Sequence, residues 1–218
     1  MYKIIRQNEF DISYVNKNAK VVIVGMSPGS TQTSNYNKTL GIKENNRLCA
    51  FSGNPMRQNI INLLNTIKVN DFLNIKDCSS LWGNDFDKVS FTSILKQPVL
   101  KTQKDKTQFI STIDYSKIMN NEDLTNLFKD FEKDCSEHYK EAELFIACGT
   151  AVRPILDILA NKNIIKAPII TIAHPSQTNI QRAKVYLTRT LPSQANAALH
   201  KMIEARAEAD AIIKTLIA

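Results

Sequence analysis

Two short loops in this chain bring together groups that do chemistry on polar substrates. One is Gly25-Met26-Ser27-Pro28-Gly29; the other, far along the chain, is His174-Pro175-Ser176-Gln177. A histidine such as His174 moves protons near neutral pH, or donates a hydrogen bond to a developing anion. Ser27 and Ser176 offer hydroxyls that orient water or a ligand. The proline turns at 28–29 and 175–176, with hydroxyls beside them, suit close approach to phosphates. Plainer readings stand next to these. Ser27 and Gly29 are also ordinary turn residues, and His174 alone would read as a structural loop histidine.

Each loop directly follows a run of β-formers, Val21-Val22-Ile23-Val24 and Ile169-Ile170-Thr171-Ile172. Two apolar strands ending in tight polar turns predict one site at the carboxyl edge of a parallel sheet, where open α/β folds bind ligands. The remaining elements agree. A strand is expected at Lys20–Val24, apolar on both faces as a central parallel strand must be. A polar loop follows from Ser27 to Asn46. Asn54-Pro55 opens a helix, Asn as cap and Pro first, that buries Ile60, Ile61, Leu63, Leu64 and Ile67.

Lys88–Leu95 reads as a strand running into a loop, and Lys101–Asn120 as a polar surface excursion. Glu122–Tyr139 is a helix, with Leu124, Leu127, Phe128 and Phe131 at helical spacing. A strand at Glu143–Ala147, the turn Gly149-Thr150, a helix at Ala151–Ala160 and a strand at 168–173 complete the pattern. The tail is a helix over Ser193–Ile217 capped by Ser193. Strands alternating with helices predict an α/β domain, a three-layer α/β/α sandwich with a short, mainly parallel central sheet. No repeat or linker divides it, so one domain over 1–218 is expected.

Of 218 residues, 43% are hydrophobic and 22% charged, ordinary values for a soluble globular chain. The net charge of +7 favours a polyanionic partner through steering and counterion release, although basic proteins without one are common. Cys49, Cys78, Cys135 and Cys148 form no Cys-x-x-Cys and lack ligand spacing to His138, His174 or His200. A metal site is therefore not expected, and scattered thiols fit a reducing compartment. No signal peptide or membrane-length apolar run is seen. The expectation is a soluble, cytoplasmic monomer with no cofactor.

Four ordered blocks resemble the uracil-DNA glycosylase superfamily. Val21–Gly29 resembles its first motif, in the Gly-x-Asn-Pro-Gly form of the mismatch-specific and single-strand-selective branches. Leu48-Cys49-Ala50-Phe51-Ser52, followed by Asn54-Pro55-x-Arg57, resembles the block whose aromatic stacks on an extruded base. Phe91–Lys96 resembles the strand end that offers an Asn to the base edge, and Ile172–Gln177 the family's His-Pro-Ser loop. The resemblance implies a glycosylase that acts on DNA, duplex or single-stranded, by flipping a base out of the helix. In that scheme Phe51 stacks, a contact worth about 1–3 kcal/mol per base. Gly25, Met26 and Ser93 line the base, and His174 stabilises it as it departs with negative charge. Pro28, Gly29, Pro175, Ser176, Gln177, Asn179 and Arg182 approach the DNA, and Ile180 enters the vacated stack. The plain alternatives are core packing for Phe51 and solvated charge for Arg182 and Lys184.

The chain departs from the family at informative positions. Ser27 stands where the family has Asp or Asn to position water, and a serine hydroxyl is no carboxylate base. Either the reaction is dissociative and needs little base help, or a carboxylate enters from another loop, with Glu44, Asp85 and Asp87 as candidates. Ser93 replaces the Asn that reads uracil with paired hydrogen bonds. Gly29 replaces a bulky Tyr of the strict uracil enzymes. Both changes enlarge the pocket. The expectation is a monofunctional glycosylase for a modified or damaged pyrimidine, such as a 5-substituted or hypermodified cytosine of phage DNA, with no lysine placed for a lyase step. The alternatives are a uracil-DNA glycosylase of base excision repair, a catalytically silent DNA-binding or damage-sensing protein, and an enzyme of free nucleotides.

Overall fold

The computed structural model describes residues 2–5, 15–38, 46–53, 55–104 and 106–218. Its elements in chain order are β1 (Tyr2–Ile4), β2 (Val21–Gly25), α1 (Ser30–Lys38), α2 (Asn46–Cys49), α3 (Met56–Thr66), α4 (Val69–Phe72), β3 (Val89–Ser93), β4 (Val99–Gln103) and β5 (Lys106–Phe109). There follow α5 (Tyr115–Met119), α6 (Glu122–Glu137), β6 (Leu144–Cys148), α7 (Arg153–Asn161), β7 (Ile169–Ile172), α8 (Ile180–Thr188) and α9 (Ala197–Ile217).

The central sheet has the order β3-β2-β6-β7, and each neighbouring pair is parallel. Its strands are apolar throughout because both faces are covered. Val21, Ile23, Phe91, Ile146 and Ile170 pack against α3, α4, α8 and α9. On the other face Val22, Val24, Phe145 and Ala147 pack against α5, α6 and α7. The expected three-layer α/β/α sandwich is thus observed. Each buried Val, Ile, Leu or Phe contributes about 1.5–3 kcal/mol relative to an exposed one.

The helix termini show which local signals acted. Asn121 caps α6 by accepting a hydrogen bond from Leu124 N at 3.0 Å, and α6 buries Leu124, Phe128, Phe131 and Cys135. The cap of α9 is Asn196, which accepts from Leu199 N at 3.1 Å, so the helix begins after Ser193 rather than on it. Pro55 occupies the N-cap position of α3, one residue earlier than the first helical position expected for it, and Asn54 lies outside the described residues. Arg206 of α9 is 6% exposed yet fully engaged. Its Nε donates to both Asp210 carboxylate oxygens at 2.9 Å, while Nη1 and Nη2 donate to the carbonyls of Tyr186 and Thr66. One side chain therefore joins α3, α8 and α9.

Two segments differ from their sequence reading. Residues 30–38, expected as loop, form α1 despite a polar Ser/Thr/Asn composition that favours helix weakly. It is held by Thr33, whose N and Oγ1 both donate to Gly29 O at 3.0 and 2.9 Å, and by Tyr36 packed on Cys49. The excursion at 101–120 contains most of the β4–β5 hairpin, whose β4 pairs antiparallel with β1 at the start of the chain, and then α5. Its tight turn places Lys104 in the left-handed region at φ 47°.

All four cysteines are buried and none forms a disulfide. Burial pushes the Cys78 thiol up to about 12 and raises those of Cys135 and Cys148 as well. Among the described residues, no helix is long and apolar enough to cross a membrane.

Candidate functional site

The carboxyl ends of β2 and β3 and the loop after β7 open onto one cavity of about 390 Å³, large enough for a small organic ligand. The two loops meet there: Gly25 to Gly29 and His174 all line it, together with Phe51 and Ser93, and Ser93 flanks Gly25 on the side away from His174.

Gly25 ends β2 where a β-carbon would make ordinary van der Waals contacts. A β-carbon there would lie 3.4 Å from Ser93 Oγ and 3.6 Å from the Phe51 ring. Phe51 itself has φ 49°, a left-handed conformation that is an outlier for an aromatic residue and costs about 1–3 kcal/mol. Its surroundings hold it there. The Phe51 ring meets Phe91 edge-on at 6.2 Å, and Phe91 stacks on Trp82 at 4.7 Å. Trp82 Nε1 donates to Ala50 O at 2.9 Å, and Arg57, 5.5 Å above the Trp82 ring, donates to the carbonyls of Leu48 and Ala50. The carbonyls just before Phe51 are thus gripped from two sides.

The first loop is largely occupied with holding itself. Met26 lines the cavity and is also buried in the core on the α6 side. Ser27 Oγ donates to Gln97 O at 3.1 Å and accepts from Val99 N at 3.2 Å. Its single hydroxyl proton is therefore committed to the turn before β4, which leaves one lone pair for a water. Gly29 N donates to Gln32 Oε1 at 3.1 Å, so that amide is not free for a phosphate. A β-carbon on Gly29 would meet nothing within 4 Å, and open space lies at that position.

The second loop is arranged around one atom. Ser176 N donates to His174 Nδ1 at 3.2 Å, and Ser176 Oγ lies 2.9 Å from the same nitrogen. A backbone N–H faces only an unprotonated ring nitrogen, so neutral His174 carries its proton on Nε2. Asn179 Nδ2 donates to Ser176 Oγ at 2.9 Å, and Asn59 of α3 donates to Pro175 O at 2.8 Å. Burial first, and then the charge of Arg182, hold the His174 pKa below its ordinary 6.5. The imidazole is therefore a neutral Nε2–H donor at neutral pH. Gly149, at the end of β6 with φ 98°, makes room for it: a β-carbon would lie 3.2 Å from His174 Cβ. The sequence reading treated Gly149 only as a turn residue, and its positive φ has no signal in a single sequence.

Beyond the cavity mouth a shallower groove shares Gly29, Ser30, Gln32 and Met56 with it and continues past Ser52, Gly53, Ser176 and Gln177. Ile180, 48% exposed, begins α8 just after these residues. Arg182 and Lys184 are exposed, and Arg182 Nη1 donates to Asn179 Oδ1 at 3.3 Å.

Two proposed acids do not reach this site. Asp85 and Asp87 precede β3 at the amino edge of the sheet, where Asp85 pairs with Lys88 at 3.5 Å. Neither lines the cavity. Glu44 lies outside the described residues. Among the described residues no carboxylate lines the cavity, and no group of three His, Cys, Asp or Glu is placed to hold a metal. Several lining residues carry no role in the sequence reading, among them Phe109, Ile110 and Ser111 of the expected surface excursion, and Lys96. Lys96, in the turn after β3, forms part of the wall and pairs with Asp134 of α6 at 2.6 Å.

No family model matches the chain. It is 24% identical over 204 residues to the uncharacterized protein YoxB of Bacillus subtilis (strain 168), covering 85% of this chain and 78% of that protein. Among solved structures it is similar to wild-type SMUG2 of Pedobacter heparinus, with a TM-score of 0.46 and 12% identity over 91% of this chain and 76% of that one.

Proposed function

We propose that the protein is a monofunctional DNA glycosylase that takes a modified or damaged pyrimidine into the carboxyl-edge cavity and hydrolyses its bond to the sugar. The observation that carries this reading is the meeting of Phe51, Ser93, the 25–29 turn and a neutral His174 around one cavity, although they come from four separate stretches of sequence. Phe51 supplies the stacking wall and Ser93 a hydroxyl at the base edge. The C1′–N1 bond breaks with its electron pair on the base, and His174 Nε2–H donates to the anion that forms. Water bonds to C1′ and releases its proton to solvent, leaving an abasic site. The groove past Ser52 and Ser176 follows the sugar–phosphate backbone, with Gly29 and Gln177 along it, whereas Pro28 and Pro175, expected to approach DNA, are buried and do not line it. Ile180 fills the gap in the stack, and Arg182 faces phosphate. No metal or cofactor enters this chemistry.

The open space at Gly29 supports a substituted ring, such as a 5-substituted cytosine of the kind some phage genomes carry, and hence a role in defence. A second reading, a catalytically silent DNA-binding protein, is favoured by the committed Ser27 proton and by the lack of a carboxylate among the described lining residues. Mass spectrometry of bases released from single strands and duplexes containing uracil, thymine mismatches or 5-substituted cytosines separates the readings. The expected result is release of the substituted base, abolished by Gly29→Tyr while a smaller pyrimidine is still cleaved. Efficient and exclusive release of uracil would sink the roomy-pocket argument. Binding with no release of any base would establish the silent reading.

A further inference from the structure

Among the described residues lining the cavity, Lys96 is the one that carries a formal charge, since His174 is neutral and no carboxylate is present. Its backbone is fixed on both sides. Leu95 N donates to Met26 O at 2.9 Å, and Gln97 O accepts from Ser27 Oγ at 3.1 Å. Its ammonium is fixed as well, 2.6 Å from Asp134 Oδ2, with side-chain exposures of only 16% and 10% for the two partners. Asp134 is not part of the cavity wall. Lys96 is therefore the member of the pair that belongs to the wall, and Asp134, 7% exposed on α6, backs it from outside the cavity.

A fixed cation in a partly dry wall favours any negative charge that develops beside it, and it does so without reorganising during the reaction. Lys96 shares its loop with Ser93, on the side of the cavity assigned to the base rather than to the sugar. We propose that Lys96 stabilises the negative charge on the departing base and that Asp134 sets the position and strength of that cation. This rests on the glycosylase reading and adds a second electrostatic group to His174. The bond changes are those already given: the electron pair of C1′–N1 passes to the base and water adds to C1′. Lys96 transfers no proton and forms no covalent bond.

A lysine that merely pins the β3–β4 turn to α6 would give the same static picture, so the test must read charge. The probe is a series of duplexes carrying pyrimidines whose N1 acidity differs through ring substitution, with single-turnover release measured for each. Removing the cation in Lys96→Met should slow release about 10- to 100-fold for the least acidic base and much less for the most acidic, so dependence on leaving-group acidity steepens. Lys96→Arg should keep the shallow dependence. Asp134→Asn, which leaves the cation uncompensated, should make the dependence shallower still. Thermal melting of each variant separates these effects from loss of fold. Equal losses across the series in both Lys96→Met and Asp134→Asn would overturn the inference while leaving the glycosylase reading intact. Absence of release by the unaltered protein on every substrate would overturn both.

Discussion

The two loops at the carboxyl edge use similar residues in opposite ways. In the 25–29 turn the polar groups point back into the chain: Ser27 holds the turn before β4, and Gly29 N is held by Gln32. In the His174 loop the hydroxyl and amide of Ser176 converge on Nδ1 and leave Nε2–H as the group still available to a ligand. The first loop is a frame and the second presents a functional atom. A serine in a motif position is therefore not evidence of chemistry until its proton has been traced.

That contrast can be broken most directly at His174. His174→Ala should reduce single-turnover base release by about 10²–10³-fold, the usual effect of losing one donor to a developing anion, with DNA affinity little changed. A loss under about threefold would remove the chemistry from the second loop. The pH profile sharpens the point. Because burial lowers the His174 pKa, the neutral donor persists below 6.5, so activity should stay level through the ordinary histidine range and fall only at more acid pH. The unfolded chain binds that proton more readily than the folded one, so stability should also decline as pH falls below about 6.5.

A smaller effect is expected at Gly149. Gly149→Ala forces a β-carbon to 3.2 Å from His174 Cβ at a φ of 98°, which should cost about 1–3 kcal/mol in denaturant unfolding. It should also reduce release about tenfold or more by displacing the imidazole. Unchanged release would mean that His174 tolerates movement. The smallest effect belongs to the frame. Ser27→Ala should cost about 1 kcal/mol of stability and leave release within about threefold of the unaltered protein. A loss as large as that of His174→Ala would restore Ser27 as a catalytic group.

The legible parts of the fold were those whose burial is continuous in sequence. β2, β3, β6 and β7 are covered on both faces and read as apolar runs, and α6 shows its stripe of Leu124, Phe128 and Phe131. The illegible parts depend on partners distant in sequence. α1 is a helix of poor helix-formers held by the Gly29 carbonyl and by Tyr36 on Cys49. The small sheet needs Tyr2–Ile4 to meet Val99–Lys101. The site followed the same rule. Gly25, Phe51, Ser93 and His174, which line one cavity, could be singled out because each sits at a strand end or in a recognisable block. Lys96 was missed because its meaning comes from Asp134 on another helix. Asp85 and Asp87 were misplaced although they precede the strand, which in a parallel sheet puts them at the amino edge, away from the site.

The four buried thiols also make the protein a reporter of its own openings. A thiol reagent reacts with exposed thiolate, and in the folded state these groups are both covered and, at Cys78, Cys135 and Cys148, disfavoured as thiolates. Cys49 lies on the segment that carries Phe51, Cys148 at the end of a central strand beside Gly149, and Cys135 on α6 next to Asp134. Labelling rates compared among them would time the opening of the aromatic wall against that of the sheet, with no label introduced. The order in which the thiols become reactive is thus a clock for which part of the cavity yields first.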